Sequence, residues 1–188
     1  MASGRDRDNG LVVGVVDDLA DPEDLGRVRV KLPHLDNTLS DWAPIVSPMG
    51  GKNRGILFRP EPEDTVLVAF EMGDPRRPYV LGAFWSKPDP PPPLGDPAKE
   101  NNWRVIRSRS GHVIRLDDTN GSERIEIIDA KERLKIVVDT AAGEIAVTAD
   151  GGTVRVEAST VKIAADANAE ISAGGTLTLK GSRVEINP

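Results

Sequence analysis

Two imidazoles, His34 and His112, and no thiol at all are what this chain of 188 residues offers for nucleophilic or metal chemistry. Covalent catalysis needs a nucleophile beside a base that a third group holds in place. Without cysteine there is no Cys–His pair. The two histidines fall in different predicted domains, which leaves a Ser–His–Asp set poorly supported. The missing thiols also remove disulfides and thiolate zinc sites, as suits assembly in a reducing cytoplasm. Carboxylates are more concentrated: Asp17, Asp18, Asp21, Glu23 and Asp24 crowd one short stretch. They lack the alternating acids, central Gly and distal Glu of a calcium loop, so a solvated strand-to-strand connection is expected there. His34 follows Pro33 at a strand end and is expected to be exposed, and His112 is expected on the first strand of the second region. The expected catalytic, cofactor-binding and metal-binding residues are therefore none.

Lys+Arg number 24 against 30 Asp+Glu, for a net charge of −6. A phosphate backbone needs a concentrated basic surface, so nucleic acid is not an expected partner. The opening MASGRDRDNG has no apolar signal region, and no run is long enough to span a bilayer as a helix, which predicts a protein soluble when made.

The elements that must position these residues are unevenly built. Trp42, Trp85, Trp103, Phe58, Phe70, Phe84 and Tyr79 all lie at or before residue 103, as do all three Met. Residues 104–188 have neither. Large rings supply much of an ordinary globular core. Val, Ile, Ala, Thr and Gly fill only a thin one, so the two halves are different kinds of object.

In the first half, alternation marks strands at Val28–Leu32, Val66–Phe70 and Tyr79–Phe84, and more continuous apolar runs mark Leu11–Val16 and Gly55–Phe58. Turn signals separate them, among them Asp21-Pro22, Pro33, Gly50-Gly51 and Gly73-Asp74-Pro75. Five evenly spaced strands without helical periodicity predict an OB-fold barrel over residues 10–86, behind a tail at 1–9. The aromatics are expected to point inward or to sit beside prolines, which argues against a stacking platform for bases. Residues 87–102, rich in proline, form an extended linker.

From Ile125 an apolar–polar–apolar triplet recurs: Ile125–Ile127, Leu134–Ile136, Ile145–Val147, Val154–Val156, Val161–Ile163, Ala169–Ile171, Leu177–Leu179 and Val184–Ile186. The starts are 9, 11, 9, 7, 8, 8 and 7 residues apart. Period-2 geometry puts both aliphatic residues of a triplet on one face. A single chain of such strands has two bare edges and little core, whereas three intertwined chains pair every strand and bury the aliphatic faces on one axis. A single-chain solenoid would need longer coils. The expectation for residues 103–188 is thus an intertwined trimeric β-spike, with Val154, Val156, Val161, Ile163, Ile171, Leu177, Leu179, Val184 and Ile186 in the trimer core.

Residues 26–32 (GRVRVKL), Trp42-Ala43-Pro44, SPMGGKNRG at 47–55, PEPEDTVLVAF at 60–70 and GDPRRPYVLGAF at 73–84 resemble, in order, the OB domain of phage baseplate assembly protein V. The spike proteins of type VI secretion, the VgrG family, share that domain. Residues 103–121 resemble the family's entry into its spike. Glu63 stands where the family has Gly, and Gly50 where it has Ala. The resemblance implies an all-β chain, an OB-fold barrel followed by a triple-stranded β-helix spike, that serves as the membrane-puncturing tip of a contractile, phage-tail-like injection machine. It implies a homotrimer assembled in the cytoplasm, joined to a trimeric baseplate hub protein by the tail and barrel. A PAAR-type tip protein would be seated on Ile186, Asn187 and Pro188, and the target cell membrane would be breached on firing. Some family members carry a lysozyme domain near the linker or a metal at an H-x-H tip; neither motif is found here. A passive trimeric fibre or adhesin segment is the alternative.

Overall fold

The computed structural model describes residues 10–93 and 99–186 and divides the chain into two compact units between Gly95 and Asp96. The tail at 1–9, part of the linker, and Asn187 and Pro188 lie outside the described residues.

In the first unit, β1 (Val12–Asp18), β2 (Arg29–Leu32), β3 (Thr38–Leu39), β6 (Thr65–Phe70) and β7 (Pro78–Ala83) form one antiparallel sheet in the order β3-β2-β1-β6-β7. A small hairpin of β4 (Gly50–Gly51) and β5 (Arg54–Gly55) stands apart from it. The segment around Ala43–Val46 curls the sheet into a barrel. Ala43 exchanges both backbone hydrogen bonds with Val28 just ahead of β2, while the carbonyl of Pro44 and the amide of Val46 bond Val80 of β7. One short segment thus occupies both edges.

Alternation decides what lies inside. Along β6 the residues Val66, Val68 and Phe70 are buried while Thr65, Leu67 and Ala69 are half-buried, and Val30 and Leu32 follow the same rule on β2. Val16, Val28, Ala43 and Val80 complete the core. Burying each such valine contributes ~1.5–3 kcal/mol of hydrophobic stabilisation. The interior is tight enough that β1 must carry a glycine: a Cβ on Gly14 would sit 2.2 Å from Val30 Cγ1 and 3.2 Å from the Lys31 carbonyl oxygen.

Three local expectations are corrected. The run Gly55–Phe58 is no barrel strand: only Gly55 pairs, in the hairpin, and Leu57 and Phe58 project into solvent. Its place in the sheet is taken by β3, a two-residue strand too short to show a period. Nor do the aromatics generally point inward. Phe70 alone among the Phe and Trp of this unit is buried, and Trp85 is 68% exposed. A barrel this narrow is filled by valines, for the reason that was expected only of the second half. Finally, the acidic stretch is organised around one residue that is not solvated. Asp21 accepts hydrogen bonds from the Glu23, Leu25 and Arg27 amides and from Arg27 Nε and Nη2, and its side chain is 3% exposed. The Arg27 guanidinium holds its carboxyl well below the usual carboxylate range, against the opposing effect of burial.

The second unit opens with β8 (Trp103–Arg107), β9 (Val113–Asp117), β10 (Arg124–Ile128), β11 (Leu134–Asp139) and β12 (Glu144–Ala149), a meander in the order β12-β11-β10-β9-β8. The first three triplets, expected to pair between chains, find their partners within one chain. Their spacing of 9 and 11 residues accommodates a strand and a hairpin turn. At 7 or 8 residues the later triplets cannot close the same hairpins. Residues 153–186 contain no strand, every residue of 151–186 is exposed, and among the described residues no backbone–backbone hydrogen bond is formed beyond Gly152.

Candidate assembly interface

The meander has two unlike faces, and register decides both. Ile106 pairs with Ile114, Ile114 with Ile127, Ile127 with Ile136 and Ile136 with Val147, so one aliphatic row crosses all five strands. A second row, Leu116–Ile125–Val138–Ile145, runs beside it. No described residue of the unit buries these rows, and Ile127 remains 50% exposed. A trough of about 570 Å³ follows them, lined also by Leu134, Thr153 and Val154. The chain leaving β12 therefore begins its repeat along this face. A contiguous aliphatic surface of this kind marks an interaction site.

The opposite face is held by charge. Arg115 pairs with Glu126 across β9 and β10 and lies 4.1 Å from the centroid of the Trp103 ring. Beside it, Arg124 Nε is 3.5 Å from Asp117 Oδ2. Glu126 and Asp117 are buried, at 6% and 3% exposed, because the flat Trp103 ring and the arginine stems lie over them. Burial raises the pKa of Asp117, but hydrogen bonds from Thr119 and from the Trp103 and Arg124 side chains outweigh it and hold the carboxyl below its ordinary value. Composition alone did not reveal this cluster. The available signal was the period-2 alternation Trp103–Val105–Arg107 and Val113–Arg115–Asp117, which sets these residues opposite the aliphatic row.

The histidines lie in other settings. His34 is exposed within the 3₁₀ turn Pro33–Leu35, as expected. His112 precedes β9 in the β8–β9 connection, not on a strand, because the turn that Gly111 permits at φ 95° delays the strand by one residue. Ser108 and Asp129 are its neighbours in the trough. They do not make a triad: His112 Nδ1 accepts a hydrogen bond from the Ala130 amide at 3.2 Å and so carries no proton to give Asp129. The Ser108 hydroxyl accepts from the His112 backbone amide, not from the ring. Asp129 is itself engaged by the amides of Leu134, Lys131 and Arg133, which depress its pKa.

Of the expected trimer core, Val154 reaches the trough, while Val156, Val161, Ile163, Ile171, Leu177, Leu179, Val184 and Ile186 are exposed along the extended chain. Their partners across the backbone alternate as period-2 geometry requires. Arg155 forms an ion pair with Glu157 at 3.3 Å, and Arg183 pairs with Glu185, so both pairs share the face opposite the aliphatic residues. Of the expected tip contact, Ile186 is exposed, and Asn187 and Pro188 lie outside the described residues. No helix among the described residues is long and apolar enough to cross a membrane.

Comparison with known proteins concerns the first unit. Residues 12–85 match the family model described as the Type VI secretion system/phage-baseplate injector OB domain. The match spans β1 to β7 and supports that family for the barrel. No curated protein matches the chain.

Proposed function

We propose, from a barrel of the injector OB type at residues 12–85, that this chain is the central spike of a contractile, phage-tail-like injection machine. In this reading it is a homotrimer whose task is force transmission and membrane breach, not bond cleavage. It joins a trimeric baseplate hub, through residues 1–9 and the barrel, to a PAAR-type tip protein held by Ile186, Asn187 and Pro188. Assembly in the cytoplasm and incorporation into a phage-tail-like particle follow from the same reading.

One observation carries the proposal: an injector-type barrel shares its chain with an aliphatic repeat that has no backbone partner of its own. Residues 153–186 leave the N–H and C=O groups of that stretch unpaired. Isolated in water, such a segment gains nothing from its periodic Val, Ile and Leu. Three copies at equal height pair each strand with a neighbour and close the aliphatic residues onto a common axis, which also removes the edges. A shaft with every backbone group bonded resists buckling when pushed from behind. The ion pairs at Arg155–Glu157 and Arg183–Glu185 then face outward, where exposed charge is tolerated.

Light scattering on the purified full chain tests the assembly, with a mass of three times 20.2 kDa expected. A stable monomer would remove the basis of the spike. Electron microscopy of source particles carrying a label on this chain tests the location, and a label found only on fibres outside the baseplate would favour the adhesin reading.

A further inference from the structure

We propose that Asn120 is a latent site of self-modification by deamidation, and that Glu123 is the latch that keeps it closed. Asn120 and Gly121 form the tip of the connection between β9 and β10, and both are exposed. Among the described asparagines, Asn120 alone is followed by glycine; the others precede Thr38, Arg54, Asn102, Trp103 and Ala169. Glycine has no Cβ to shield its own amide nitrogen or to restrict rotation of the peptide before it. The chemistry needs water and no other reactant. The Gly121 backbone nitrogen attacks Cγ of Asn120, the C–N bond of the side-chain amide breaks, and ammonia leaves carrying the proton that the nitrogen gave up. One water then opens the five-membered imide at either of its carbonyls. One opening gives aspartate; the other gives isoaspartate, in which the main chain runs through the former side-chain carbon. Either product adds one negative charge to the −6 of the chain.

The folded turn holds the reacting atoms apart. The Ser122 amide donates to the Thr119 carbonyl at 2.8 Å, and Gly121 takes φ 75° while Asn120 stays out of the left-handed region. That combination defines a type II turn, whose second residue has ψ of about +120°. At that angle the next amide nitrogen is swung away from the residue's own Cβ, whereas ring closure needs it turned back beside the side chain. Attack therefore requires the peptide between Asn120 and Gly121 to rotate. Glu123 resists that rotation. Its Oε1 accepts a hydrogen bond at 3.0 Å from the Gly121 amide, the group whose nitrogen must attack. An ionised acceptor makes this bond stronger than a neutral one would. Glu123 is itself anchored, because its carbonyl accepts from both the backbone amide and the hydroxyl of Thr140, just beyond β11.

The test incubates the full chain at neutral pH in heavy-oxygen water, either folded or in guanidinium chloride. Mass spectrometry of the tryptic peptide 116–124 then reads uptake of the heavy oxygen and formation of isoaspartate. The native chain should react slowly when folded and several-fold faster when denatured. Equal rates would mean that the turn gates nothing and would overturn the proposal. Glu123→Ala should speed the folded-state reaction roughly threefold to tenfold, the factor set by one lost hydrogen bond, and leave the denatured rate unchanged. Glu123→Gln keeps an acceptor and should stay near the native rate. Asp129→Ala controls for general loosening of the meander, since it removes the acceptor of the Lys131, Arg133 and Leu134 amides at the next turn and leaves 119–122 untouched. If Asp129→Ala speeds the reaction as much as Glu123→Ala, or if Glu123→Ala leaves the rate unchanged or lowers it, Glu123 is no latch. Absence of product from the denatured chain would remove the site itself.

Discussion

The barrel and the second unit deploy similar aliphatic side chains in opposite ways. In the barrel one chain closes on itself: Ala43–Val46 occupies both sheet edges, and Val16, Val28, Val30, Val66, Val68 and Val80 are wholly buried. In the second unit the sheet stays open, its aliphatic rows are about half exposed, and the described residues beyond Gly152 form no backbone–backbone hydrogen bond. Similar side chains are used in both. The difference teaches that closure is decided by spacing and by edge coverage rather than by hydrophobicity. A connection long enough to return to the first strand makes a barrel; a repeat of 7 or 8 residues leaves residues 153–186 without a strand partner in their own chain.

That contrast is breakable in a graded series. The largest effect is expected from Ile171→Asp, which in the three-chain reading gathers three unpaired carboxylates in a dry axis, at several kcal/mol per ion. Light scattering should report loss of the trimer while the barrel keeps its own unfolding transition. Joint loss of both would show that the units are not independent. Next, Arg115→Ala leaves Glu126 buried with only the more distant Arg124 Nε, at 4.0 Å, and should destabilise the meander by up to about 3–5 kcal/mol. Replacing the pair together, Arg115→Leu with Glu126→Leu, should restore much of that in thermal melts, because what is penalised is the orphaned charge.

Smaller effects belong to the barrel. Gly14→Ala forces a methyl against Val30 and the Lys31 carbonyl and should cost about 1–3 kcal/mol of barrel stability in urea unfolding. Assembly should be unaffected. Glu63 sits in the left-handed region at φ 73° in the turn where the Asp64 amide bonds the Glu61 carbonyl. There Glu63→Gly should stabilise the barrel by about 1 kcal/mol. A loss of stability would mean that the Glu63 carboxylate near Lys31 outweighs the backbone term. The smallest effect is expected from Lys162→Glu on the polar face of the shaft, which should leave both the melting curve and the oligomeric state unchanged. A response as large as that of Ile171→Asp would invert the assignment of faces.

Much of the architecture was legible before any coordinates. The strands β2, β6 and β7 announce themselves by alternation, and the aliphatic triplets give the face that lacks cover. The ordered segments of residues 26–84 that resemble baseplate protein V lie wholly inside the family match at 12–85. The misses share a cause. Gly55–Phe58 has a strand's composition, yet Gly55, at φ 149° with the Met49 carbonyl oxygen 2.6 Å from where a Cβ would stand, ends the hairpin and turns the chain out. The inward role assigned to the rings failed because hydrophobicity says which residues can be buried, not which ones the barrel's radius admits.

By itself the sequence determined the periodicities: period 2 in the barrel strands, and triplets whose spacing shortens from 11 and 9 to 7 and 8 residues toward the C-terminus. Those follow from local geometry, because the side-chain direction of an extended chain depends only on its neighbours. Tertiary structure alone decided which strands meet. The closure through Ala43–Val46 and the Trp103–Arg115–Glu126 cluster each join residues from different strands or loops, and the path of a single connection buries Asp21 under Arg27. Their positions depend on register and on the path of the connections, and no local pattern encodes either one.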